Sequence, residues 1–224
     1  MSSARSLFAR LIDHAPTFPP AQLSVPDAIE EDRRARTSDE SWILGRLAWP
    51  SSKLGELGDE GRELTVIVDG PLVGPDSRIA AVETRAPVPP DIAPEVYVEG
   101  GDLDELARRG LRAKVRCGGE HVPSVDELGE FIRGCRERGL PFKATAGLHH
   151  AVRQNGGHGF LNVLAAAIFD EDALAEEDAE AFRVTETEFV WRDRAAPPNR
   201  GLFVSFGSCS FFEPVEELKA LGLV

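Results

Sequence analysis

The sequence predicts a small, distorted (β/α)8 barrel of the TIM type with an N-terminal helical extension. Three observations carry that prediction. Eight strand-like runs recur between residues 42 and 206, most of them separated by helical segments, which is the alternation of a parallel barrel. Several of these runs alternate apolar with ionisable residues, as strands do when one face meets helices and the other an interior. The 224 residues contain no internal repeat, low-complexity segment or linker, so residues 1–224 read as one domain, with 1–40 as the helical extension. An open doubly wound α/β sheet is the competing architecture.

Each element has its own signal. Residues 2–15 read as a short helix, broken by Thr17-Phe18-Pro19-Pro20. Ser24 with Pro26 starts a second helix that runs to residue 38. Residues 42–49 are strand one and 51–57 a helical turn; 64–69, 79–85 and 95–99 are strands two to four. Residues 70–78 and 86–94, rich in Pro and Gly, are too short for crossover helices, whereas 102–109 is a helix. Strand five covers 111–117. Ser124 caps a helix in which Leu128, Phe131, Ile132 and Cys135 recur at helical spacing. In residues 141–150, Phe142, Ala144 and Ala146 alternate with Lys143, Thr145 and Gly147, which makes strand six. A helix over 159–173, an acidic helix over 175–181, strand seven over 185–191, strand eight over 202–206 and a helix over 214–221 complete the chain.

Composition excludes several classes of function. A formal net charge of −13 argues against nucleic acid as a partner, because such proteins present a basic patch. No apolar run reaches spanning length, so no membrane role is expected. Leu7, Phe8, Leu11 and Ile12 are interrupted by Arg10, as in an amphipathic helix rather than a signal peptide, and a cytoplasmic location is expected. Cys117, Cys135 and Cys209 form no CxxC pair, which fits reduced, packed cysteines better than zinc. Cations are overwhelmingly arginine; the lysines are Lys53, Lys114, Lys143 and Lys219, and two of these four fall inside strands. Arginine cannot be deprotonated in a protein and lysine can, which hints at amine chemistry.

Sorting the strand faces sharpens this. Val66 and Val68, Ala80 and Val82, Val96 and Val98, Ala113 and Val115, Phe142 and Ala144, and Leu202 and Val204 form the outward set. The inward set holds Asp69, Glu83, Tyr97, Glu99, Lys114, Arg116, Lys143, Thr145 and Ser205, joined by Arg46 and Glu188. Adjacent strands bring Glu99 beside Lys114, and Lys114 beside Lys143. Two neighbouring amines lower one another's pKa, so Lys143 is the expected nucleophile, Lys114 its pKa-lowering neighbour, and Glu99 or one of His149 and His150 the proton shuttle. The competing reading is a purely structural network of buried ion pairs.

Binding groups are expected around that centre. Arg46, Arg116 and Arg153 would meet an anionic substrate. Asn162 either faces the mouth or caps a helix start. The small residues Gly207 and Ser208 would let backbone N–H groups approach an anion. His14 and His121 have no context beyond core or surface roles.

The segments Phe142-Lys143-Ala144-Thr145-Ala146-Gly147-Leu148-His149-His150, Gly159-Phe160-Leu161-Asn162 and Phe206-Gly207-Ser208-Cys209-Ser210-Phe211 with Glu213-Pro214 resemble a family of bacterial proteins of unknown function. Phe18-Pro19-Pro20-Ala21 and Leu44-Gly45-Arg46 extend the resemblance over most of the chain. It implies a β/α-barrel-like fold and no particular activity. Lys143-Ala144-Thr145-Ala146-Gly147 and residues 114–119 are similar to the lysine strands of deoxyribose-phosphate aldolase-type barrels, which implies a Schiff base on one lysine with a second nearby. The histidine pair is foreign to those enzymes.

Three functions follow as expectations. The first is a Schiff-base lyase or aldolase, without a cofactor, acting on a small phosphorylated or carboxylated carbonyl compound. The second is a barrel enzyme dependent on Mg2+ or another divalent cation, with Asp69, Glu83 and Glu99 as oxygen ligands. The third is a non-catalytic barrel that binds a small anion or a protein partner. The expected partner is a small anionic molecule, and self-association into a homo-oligomer is left open.

Overall fold

Strand and helix alternate from Ile12 onward in the computed structural model, which describes residues 3–71, 76–86 and 88–224. A short helix α1 (Ser3–Phe8) precedes β1 (Ile12–His14), α2 (Val25–Thr37), β2 (Leu44–Pro50), β3 (Leu64–Ile67), β4 (Ile79–Thr84) and β5 (Glu95–Glu99). Then come α3 (Leu103–Arg108), β6 (Arg112–Arg116), α4 (Val125–Glu137), β7 (Phe142–Thr145) and α5 (Phe160–Ile168). The chain ends with β8 (Phe182–Val184), β9 (Phe189–Trp191), β10 (Arg194–Ala196), β11 (Phe203–Ser208) and α6 (Phe212–Ala220). Eight parallel strands close in the order β1-β11-β7-β6-β5-β4-β3-β2. The (β/α)8 barrel is therefore correct, and the open sheet is excluded because β1 pairs with both β11 and β2.

One of the eight expected barrel strands is replaced by another. Residues 2–15 are not one helix: Arg10 takes a φ of 55°, the chain turns, and Ile12–His14 becomes the first barrel strand. The N-terminal extension is thereby drawn into the barrel, with α2 as its first crossover helix. Ser24 caps α2 as its sequence predicts. The expected seventh strand, over 185–191, instead contributes β9 to a separate antiparallel sheet β10-β9-β8. Glu188 is consequently exposed and not part of the interior. The acidic segment after α5 forms two short 3₁₀ turns, Glu171–Ala175 and Ala179–Ala181, rather than one helix.

The crossovers are uneven. A 3₁₀ turn, Ser51–Glu56, follows β2, and among the described residues no helix lies between β3 and β4 or between β4 and β5. Residues 72–75 and Pro87, within the two Pro- and Gly-rich stretches, lie outside the described residues. The second half is better clad. α4 has a full capping box between Ser124 and Glu127 and buries Leu128, Ile132 and Cys135 against the barrel. A register shift in β11 sets Phe203 opposite Phe142, Ser205 opposite Lys143 and Phe206 opposite Ala144. The outward pair on this strand is therefore Phe203 and Phe206, not Leu202 and Val204. One extra residue in a bulge moves every later side chain to the other face. Among the described residues no helix is long and apolar enough to cross a membrane.

Candidate active site at the barrel mouth

Register brings the ionisable residues together. Lys114 lies opposite Lys143, Glu99 opposite Lys114, and Arg116 opposite Thr145. Lys143 Nζ stands 2.5 Å from Asp13 Oδ2 and 2.6 Å from Glu83 Oε1. The other Glu83 oxygen is 2.8 Å from Lys114 Nζ, which is itself 3.3 Å from Glu99. Arg85 Nε donates to Glu99 at 2.8 Å. Opposite charges thus alternate from Asp13 through Lys143, Glu83, Lys114 and Glu99 to Arg85. Along that line the side chains open to solvent: Lys143 is 0% exposed, Lys114 6%, Glu99 16% and Arg85 71%.

Alternation is what permits these charges inside a barrel, since a lone buried charge costs several kcal/mol and a paired one far less. Burial by itself would push the Lys143 ammonium pKa down, but Asp13 and Glu83 outweigh it and hold the group above its usual range. Burial would push Glu83 up, yet Lys143 and Lys114 bring it down to about 2. This corrects the expectation that Lys114 depresses Lys143: the carboxylates of Asp13 and Glu83 dominate, and Lys143 rests as a cation.

Asp13 is the anchor of the centre. Its Oδ1 accepts the Arg46 N–H at 2.8 Å and its Oδ2 the Ser205 hydroxyl at 3.1 Å. Gly45 makes room for it, because a Cβ there would collide with Asp13 Oδ1. Below Lys143 the ring of Tyr97 lies 5.1 Å from Nζ. The Tyr97 hydroxyl donates to Glu95 at 2.9 Å and accepts from Arg112 at 3.0 Å. Burial pushes this phenol up to about 12, and its network closes the N-terminal end of the barrel.

At the opposite end, where barrel enzymes carry their chemistry, the strand ends surround a cavity of about 410 Å3. Glu83, Lys114, Arg116, Thr145, Gly207 and Ser208 line it, together with Cys209 and His149. Ala15, Phe18, Pro19 and Pro20, from the segment after β1, and Ile67 and Leu148 add apolar wall. The loops after β6 and β7 meet backbone to backbone: a Cβ on Gly118 would lie 2.6 Å from the Gly147 Cα. Ala146 and Gly147 both take left-handed backbone, with φ of 57° and 70°.

The expected site residues divide accordingly. Lys114, Arg116, His149, Gly207 and Ser208 line the cavity, while Lys143 and Glu99 belong to the ion-pair line beside it. Arg46 is not a mouth residue; it binds Glu95 at 2.6 Å toward the N-terminal end. His150 turns away to Glu217 of α6, at 2.7 Å. Arg153 faces Glu177 at 3.7 Å, outside the cavity lining. Asn162 is a buried staple: Oδ1 accepts the Arg153 N–H, and Nδ2 donates to the Ala173 and Glu176 carbonyls. Neither expected role is found: Asn162 does not line the cavity, and the start of α5 has no side-chain cap.

The three carboxylates of the metal alternative do not converge. Glu83 and Glu99 are paired with cations, and Asp69 accepts from Ser51 and Ser52 in the loop after β3. Among the described residues no group of three His, Cys, Asp or Glu side chains is placed to hold a metal ion.

Asp13 escaped the sequence reading because its strand is three residues long and reads as the end of a helix. The signal was an acid between Ile12 and His14, followed by Pro16. The wall residues Phe18, Pro19 and Pro20 carried only a helix-breaking signal. No protein-family model, curated protein or solved structure significantly matches the chain.

Proposed function

We propose that the barrel mouth is the active site of an enzyme acting on a small anionic carbonyl compound through an imine on a strand lysine. Lys114 is the amine for that role. One observation carries the reading: Lys114 is the lysine at the lining of the cavity, with a carboxylate on either side of its Nζ. Glu99, the partner nearer solvent, would take the ammonium proton, and the free amine would attack the carbonyl carbon. The carbonyl oxygen takes one proton from the attacking nitrogen and the other back from Glu99 and leaves as water; the product is a cationic imine, which Glu83, held as a carboxylate by Lys143, stabilises. Lys143 is therefore assigned a positioning role rather than the attack itself.

Reduction with borohydride in the presence of a panel of aldehydes, ketones and 2-oxo acids tests the reading. An adduct mapped to Lys114 and lost in Lys114→Met is the expected result. Absence of an adduct on Lys114 and Lys143 across the panel overturns it. A second reading, a barrel that binds an anion without covalent chemistry, is favoured by the pairing of both amines with carboxylates. It predicts ligand binding with no trapped adduct.

A further inference from the structure

The cavity lining is not charge-balanced. Among the described residues its charged side chains are one carboxylate, Glu83, and two cations, Lys114 and Arg116. Lys114 is matched by Glu83 and Glu99. Arg116 is half-buried and, among the described residues, has neither an ion pair nor a hydrogen bond. An unpaired cation stands out in a chain of net charge −13, whose other cavity-facing cation among the described residues, Lys114, carries two acidic partners. Beside it, opposite in register, stands Thr145, 92% buried; its hydroxyl oxygen likewise lacks a hydrogen-bond partner and has almost no accessible surface, so a turn about χ1 would be needed to present it to the cavity that the residue lines. An unpaired guanidinium and an unpaired buried hydroxyl on adjacent strands of one cavity are complementary to an oxyanion.

We infer that Arg116 and Thr145 form the seat for a carboxylate group, and that the natural ligand is a small monocarboxylate with an apolar body. The single excess positive charge matches one carboxylate, whereas a phosphate dianion would leave net negative charge facing Glu83. Phe18, Pro19, Ile67 and Leu148 supply the apolar wall. In the setting of the proposed imine chemistry, on which the substrate assignment rests, this makes the substrate a 2-oxo or other oxo acid rather than a sugar phosphate. The guanidinium fixes the carboxylate and leaves the carbonyl for Lys114, two residues along the same strand.

Isobutyrate, which has no carbonyl, separates the seat from the imine. Titration calorimetry would compare isobutyrate, pyruvate and inorganic phosphate on the wild-type chain, Arg116→Met, Arg116→Lys and Thr145→Val. The expected results are saturable isobutyrate binding to wild type and a roughly ten- to hundredfold loss in Arg116→Met, as for a charge-assisted hydrogen-bonded pair. Arg116→Lys should lose less, Thr145→Val about tenfold, and phosphate should bind more weakly than isobutyrate. Unchanged isobutyrate affinity in Arg116→Met, tighter binding of phosphate, or no binding of either carboxylate at millimolar concentration overturns the seat. Isobutyrate binding that depends on Arg116, without any borohydride adduct, would sink the imine and keep the seat. An adduct with Arg116-independent isobutyrate binding would do the reverse.

Discussion

Replacing Lys143 with methionine tests the ion-pair line where it is most buried. In the wild type the ammonium sits between Asp13 at 2.5 Å and Glu83 at 2.6 Å, with no exposure. Without it Glu83 keeps Lys114 at 2.8 Å, but Asp13 Oδ2 keeps only the Ser205 hydroxyl at 3.1 Å. Removing one member of a buried pair costs about 3–5 kcal/mol, mostly through the charge left behind. Against a total stability of about 5–15 kcal/mol that is a large fraction. For a chain of this size it corresponds to a fall in melting temperature of about 6–20 °C. Urea denaturation at pH 7 measures it, with an unchanged m-value showing that the folded state is otherwise intact. The double variant Asp13→Asn/Lys143→Met removes the orphaned charge and should recover about 1–3 kcal/mol of the loss. A Lys143→Met loss below about 1 kcal/mol, or a double variant that loses the sum of the two singles, would refute the reasoning.

Other consequences are local. His14 is buried, with Nδ1 3.2 Å from Asp32 and Nε2 3.8 Å from Glu31, both on α2, while Arg36 and Arg62 also bind Asp32. Burial disfavours its charge, but the two acids raise its pKa above the ordinary 6.5. Its stabilisation is therefore complete below pH 6.5 and is lost as pH rises through the higher folded value; stability curves from pH 6 to 9 should decline in wild type and flatten in His14→Asn. Gly147→Ala should destabilise by about 1–3 kcal/mol, because φ is 70° and a Cβ would collide with the Cys117 carbonyl. Ala146→Gly, at φ 57°, should instead stabilise by up to about 1 kcal/mol, and thermal denaturation of the two variants compares them. Asn162→Ala leaves two buried carbonyls and one N–H without their partner and should cost about 2–4 kcal/mol in urea titration; a loss near zero would contradict the staple.

The sequence by itself determined the fold class and half of the site. Strand period, capping signals and the alternation of valine with lysine, glutamate and arginine are local properties, and they sorted Glu83, Glu99, Lys114, Arg116 and Lys143 to the inside before any fold was known. The lack of crossover helices on either side of β4, among the described residues, was legible for the same reason, from Pro- and Gly-rich stretches too brief for a crossover. Only the tertiary structure decided which strand closes the ring. A three-residue strand has no period to read, so Ile12–His14 was hidden within a helical pattern, and Asp13, the acid that holds Lys143, was hidden with it. The same holds for charge state. Adjacent strands made two lysines look mutually depressed, whereas the distances set a carboxylate between them and the pKa of Lys143 is raised. Arg46 and Arg116 are the same residue type on the same inward face. One is paired to Glu95 below the centre and the other stands open to the mouth, because depth along a strand is fixed by the stagger of its neighbours and not by the strand's own residues.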